Sequence, residues 1–113
     1  MTKYLVAIYR PNDIDPAKFV DESMSRDIDA LNAEMKAAGI RVFVGGLRPT
    51  VSAKSVRTQN NGEVFITDGP YLVTPEYMDG FWVLEATDLD EALNWGRKAA
   101  IACRASVEVR PFH

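Results

Sequence analysis

Apolar and polar positions alternate along this chain in two rhythms, and the switch between them marks out its elements. Lys3–Tyr9 is a near-continuous apolar run with β-branched and aromatic members, which predicts a strand covered on both faces. Arg10–Ile14 reads as a loop, and Asp15-Pro16 as a helix start: an N-cap acceptor followed by proline where its missing N–H costs nothing. Val20, Met24, Ile28, Leu31, Met35 and Ala38 then recur at spacings of three and four, so one stripe of the helix faces a core. Gly39 is placed to end it as a C′ residue. Ile40–Val44 is the second strand, and Gly45-Gly46 marks a bend or a close backbone approach.

Ser55–Gln59 and Glu63–Thr67 flank Asn60-Asn61-Gly62, which predicts a hairpin with a type I′ turn, since Asn-Gly tolerates the positive φ angles required. After a loop over 68–79, Gly80–Ala86 is a strand rich in large apolar residues. Asp88-Leu89-Asp90-Glu91 opens a second helix with a box-like D-x-x-E pattern. Leu89, Ala92, Leu93, Gly96, Ala99 and Ala100 give this helix a narrow face of mostly small residues, suited to close packing on a sheet. Ala105–Arg110 is the last strand, stopped by Pro111.

With the hairpin set aside, the order is β-α-β twice over. Two such units in one antiparallel sheet, both helices on one face, make a ferredoxin-like α+β fold: a βαββαβ core with an inserted β-hairpin, spanning 1–113 as a single domain. The other face of the sheet stays bare and apolar. A second copy is expected to cover it, giving a homodimer with two sheets packed face to face.

Composition narrows the function. The chain has 113 residues, 47% hydrophobic and 26% charged, which suits one ordinary core. A net charge of −3 provides no excess of cations for phosphates, so nucleic acid is not an expected partner. No apolar run approaches the ~20 residues of a membrane span, and Arg10-Pro11-Asn12-Asp13 cuts the first one too early for a signal peptide. With Cys103 as the only cysteine, no intrachain disulfide can form, which points to the cytoplasm. One histidine and one cysteine do not make a tetrahedral zinc site, and Gly45-Gly46 lacks the lysine and helix of a phosphate loop. No metal and no cofactor is expected.

The most informative stretch is Thr67-Asp68-Gly69-Pro70-Tyr71, followed by Asp79-Gly80-Phe81. The first resembles the DGPF signature of the YCII-related family, with Tyr71 in the place of phenylalanine. Further similarity comes in order along the chain: Lys3-Tyr4-Leu5, Ala38-Gly39-Ile40, Gly46-Leu47-Arg48-Pro49, Ser55-Val56-Arg57, Gly80-Phe81, the 88–93 helix start and Val107-Glu108-Val109-Arg110-Pro111. The resemblance implies a dimeric α+β barrel of ferredoxin-like subunits. In members like the prototype it also implies a His–Asp pair, the histidine on the first helix and the aspartate at the DGP turn. Asp68 matches that aspartate, whereas the stretch from Pro16 to Ala38 holds no histidine.

Asp68 is therefore the candidate catalytic residue, as a general base. The plainer reading is an Asx-type turn in which its carboxylate accepts nearby backbone N–H groups. Tyr71, Arg48 and Arg57 are candidate ligand-binding residues beside it; Arg48, Arg57, Glu108 and Arg110 read either as the lining of a pocket for an anionic small molecule or, more simply, as the polar faces of edge strands. His113 reads as a solvated terminal side chain, and Cys103 as a small buried thiol. Trp82 and Trp95, with Tyr71, Tyr77 and Phe81, are either a stacking pocket or, for most of them, core or dimer-interface packing. Three functions follow: a cofactor-free dimer that binds a small molecule near the Asp68 turn, an enzyme using Asp68, or an accessory or regulatory protein engaging a partner through its hairpin.

Overall fold

A computed structural model describes residues 1–15, 18 and 21–113. Strand β1 (Thr2–Pro11) leads to helix α1 (Glu22–Ala37), strand β2 (Arg41–Gly46) and a 3-10 turn at Thr50–Ser52. Then come β3 (Lys54–Thr58), β4 (Val64–Asp68), β5 (Glu76–Ala86), α2 (Leu89–Cys103) and β6 (Ser106–Pro111). The main sheet is antiparallel in the order β2-β5-β1-β6, while β3 and β4 form a separate two-stranded sheet. This is the ferredoxin-like α+β arrangement expected, with the hairpin inserted between β2 and β5.

Both helices lie on one face. Val6 and Ile8 of β1, Trp82 and Leu84 of β5, and Val107 and Val109 of β6 meet Leu31 and Met35 of α1 and Ala99 and Ala102 of α2 in one core. Gly96 allows the closest approach: a Cβ there would lie 2.7 Å from Val109 Cγ2, so α2 settles directly onto β6. Strand alternation sends Leu5, Ala7, Tyr9, Phe81 and Val83 to the other face, where Phe43 of β2 stands opposite Val83. Rings of Phe43 and Phe81 are 5.7 Å apart there, and no helix among the described residues covers them.

Helix α1 begins later than its sequence predicts. Its cap is Asp21, whose side chain accepts from the Met24 N–H at 2.7 Å, rather than Asp15. The proposed first position, Pro16, and the stripe residue Val20 lie outside the described residues, while the Asp15 carbonyl accepts from the Lys18 N–H. The choice of Asp21 puts Met24, Leu31 and Met35 on one buried stripe. Gly39 ends the helix at φ +72°, and the Ile40 N–H reaches the Met35 carbonyl while the Gly39 N–H reaches that of Lys36. Those two bonds satisfy carbonyls the helix leaves open.

The hairpin also differs in detail. Among its tip residues only Gly62 has positive φ, at +85°, and its N–H bonds the Gln59 carbonyl at 3.0 Å. That is a three-residue loop closed by a glycine bulge, not type I′, because Asn61 keeps an ordinary negative φ. Among the described residues the hairpin pairs with no strand of the main sheet, and it makes the molecule long, at 48 × 36 × 18 Å. Its radius of gyration is 16.0 Å, against about 13 Å for a compact chain of similar size. Val56, Val64, Phe65 and Ile66 are exposed along this arm.

Candidate functional site

Strand β5 carries one residue too many for its partner. Ile8 pairs with Gly80 and Tyr9 with Met78, so Asp79 is the extra residue of a bulge. A bulge re-aims a side chain, and here the Asp79 carboxylate meets Arg10. Alternation from Val6 and Ile8 already directs Arg10 to the helix side of β1, where it is only 5% exposed. Arg10 Nε donates to Asp79 Oδ2 at 2.8 Å, and Nη1 donates to the Cys103 carbonyl at 2.9 Å. The last carbonyls of a helix lack partners within it and carry the negative end of its dipole. Arg10 thus caps α2 with a cation drawn from a strand 93 residues away in sequence.

Beside this pair lies a recess of about 140 Å³. Its walls are Ile8, Ile28, Val44, Phe81 and Trp82, with Arg10, Asp79 and Cys103 at one side and Gly45, Gly46 and Gly80 along another. The glycines allow tight pairing: a Cβ on Gly80 would stand 2.8 Å from the Gly45 carbonyl oxygen. The expected close backbone approach at Gly45-Gly46 is found here. Trp82 is held by its indole N–H, which donates to Asn32 Oδ1 at 2.9 Å; Arg41 donates to the same oxygen at 3.2 Å.

Two groups at the site keep their protons. Burial pushes the Cys103 thiol up, with Arg10's charge working against it, so it is no ready thiolate. Tyr77, opposite Arg10 on β5, is also pushed up, first by desolvation and then by the charge of Asp79. The arrangement is a net-neutral ion pair at the side of a mostly apolar recess, with a carboxylate 37% exposed as its accessible polar end. It can accept a hydrogen bond from a small guest.

The residues named from the sequence lie elsewhere. Asp68 ends β4 with its side chain 88% exposed, and its partner is Lys54 across the hairpin. The turn's Gly69 N–H bonds the Ala53 carbonyl at 2.8 Å instead of the carboxylate, which corrects the Asx-turn reading. Arg57 does gather with Tyr71: Nη2 donates to the Tyr71 carbonyl at 2.9 Å, and the guanidinium sits 4.7 Å from the centre of its ring. Arg48 is exposed between β2 and the 3-10 turn, and none of these four residues lines the recess. His113 is exposed, Cys103 is buried, and Glu108 pairs with Arg110.

Sequence reasoning puts Arg10 in a loop and gives Asp79 no role, although it singles out Asp79-Gly80-Phe81. One signal was available: Arg10 continues the alternation of Val6 and Ile8, which puts a cation on a core-facing position. Among the described residues, no three His, Cys, Asp or Glu side chains gather as metal ligands would. No helix among them is long and apolar enough to cross a membrane.

Comparison with known proteins agrees with the ordered similarity in the sequence. A family model described as the YCII-related domain matches residues 1–113. An uncharacterized protein of Rhizobium meliloti (strain 1021) is 35% identical over 113 residues, covering 96% of this chain and 90% of the relative.

Proposed function

Because this chain belongs to the YCII-related family, we propose that it acts as a homodimer binding a small organic molecule in the recess beside Arg10 and Asp79. One observation carries this reading. A buried guanidinium and a half-exposed carboxylate border an otherwise apolar hollow, the combination of apolar walls and few polar groups that small-molecule sites use. The test is a fragment titration followed by amide NMR. Shifts gathered at 44–46 and 79–82 support the recess; shifts confined to 54–71, or none, remove it.

Dimer formation is supported by the uncovered sheet face. Leu5, Tyr9, Phe43, Phe81 and Val83 make an apolar centre, with Lys3 opposite Glu85 at its rim. Such a surface suits a self-complementary interface about a two-fold axis. Light scattering at tens of micromolar checks it: a dimer is expected, and Val83→Glu should give monomers. A wild-type monomer overturns it. A lone buried thiol supports the cytoplasm as the protein's compartment.

A second reading places binding, or general-base chemistry by Asp68, at the base of the arm, where Arg57 stacks on Tyr71. There Asp68→Asn would abolish ligand response while recess variants would not. The arm's exposed Val64 and Ile66 favour a protein contact as well. If Ile66→Glu gives monomers, the arm is part of the dimer; if the dimer persists, the arm is left for a different protein.

A further inference from the structure

Resting on the reading of the recess as a binding site, we infer that its guest is a neutral, ring-sized molecule that donates a hydrogen bond to Asp79. Size comes first. A recess of about 140 Å³ is close to the apolar cavity of about 150 Å³ that holds a benzene molecule. A single ring or its equivalent fills the recess, whereas most of a nucleotide or a sugar phosphate would lie outside it.

Charge comes next. Arg10 brings a cation to the recess, but Asp79 Oδ2 lies 2.8 Å from its Nε, so the pair presents no net charge. An anionic guest gains from Arg10 and loses to Asp79, and an ammonium guest meets the reverse. Either would also give up its hydration against walls of Ile28, Val44 and Trp82, which offer nothing in return. A neutral guest avoids both penalties.

The polar requirement comes last. An ionised carboxylate only accepts hydrogen bonds, and it accepts at both oxygens. Arg10 occupies Oδ2, and Oδ1 makes no hydrogen bond to the described residues. A guest with an O–H or N–H beside an apolar ring satisfies Oδ1 and fills the hollow in one step. Phenols and neutral azoles have this chemistry; plain hydrocarbons, carboxylates and ammonium ions lack one part of it.

Fluorescence provides the test. Trp82 lines the recess and Trp95 does not, so Trp95→Phe leaves one reporter. Phenol, benzene, benzoate and benzylamine are titrated in parallel, with amide NMR locating each. Phenol is expected to bind at least about tenfold tighter than the other three, the size of one hydrogen bond to a charged group. Asp79→Asn is expected to narrow the gap between phenol and benzoate. Benzoate binding tighter than phenol, or benzene equal to it, overturns the inference while leaving the recess as a site. If no probe moves Trp82 or the 79–82 amides at millimolar concentration, the site itself fails, and the inference with it.

Discussion

Replacing Asp79 with alanine removes a counter-charge from a guanidinium the fold has already buried. The Arg10 side chain is 6% exposed and that of Asp79 37%, so the pair falls between two limits. Breaking a fully buried pair costs about 3–5 kcal/mol; an exposed pair contributes about 0–1 kcal/mol. Arg10 keeps its bond to the Cys103 carbonyl, and water can reach the vacated side, so the expected loss is about 2 kcal/mol. For a chain of this length that corresponds to a fall in Tm of about 8 °C. Arg10→Met should cost less, about 1 kcal/mol, because the half-exposed carboxylate left behind can hydrate. The double variant should then be more stable than the two losses summed, with a coupling of about 1 kcal/mol or more. Urea unfolding at one fixed protomer concentration measures all four proteins, since the apparent stability of the proposed dimer would depend on that concentration. Strict additivity, or an Asp79→Ala loss below about 0.5 kcal/mol, would refute the claim that the interior depends on this pair.

Gly80→Ala should destabilise by about 1–3 kcal/mol, because the new Cβ meets the backbone of β2, which cannot rotate away; Gly46→Ala, with nothing within 4 Å, is the control in the same denaturation series. Cys103 should resist alkylation at pH 8 in the folded protein and react on unfolding. Its folded value lies above its ordinary 9.0, so it stabilises fully below that pH and the contribution fades as pH rises through the folded value. Glu91 has the opposite sign. Bonds from the Thr87 hydroxyl and then the Thr87 amide hold it below its ordinary 4.5, so its contribution is present above 4.5 and is lost as pH falls through the lower folded value. Thr87→Val should flatten that acid limb in a melting series.

Much of the architecture was legible in local pattern. Alternation and three-four spacing identify both helices and every strand of the main sheet, and Gly39 ends α1 where expected. These signals act between residues a few positions apart, so the chain carries them whatever it packs against. Asp88 is a case in point, accepting from the Glu91 N–H at 2.8 Å. The start of α1 shows the limit: Asp15 and Asp21 are both good caps locally, and burial of Met24 accompanies the second.

The recess lay beyond that limit. Arg10 and Asp79 are 69 residues apart, and they meet because a one-residue slip between β1 and β5 turns Asp79 toward the helix side. The acceptor at Cys103 exists only once α2 ends over the same strand. Sequence by itself determined which segments become strands and helices, since each choice is made by near neighbours. Where a charge is buried, and what hollow opens beside it, was decided by register between distant strands, which only the packed molecule sets.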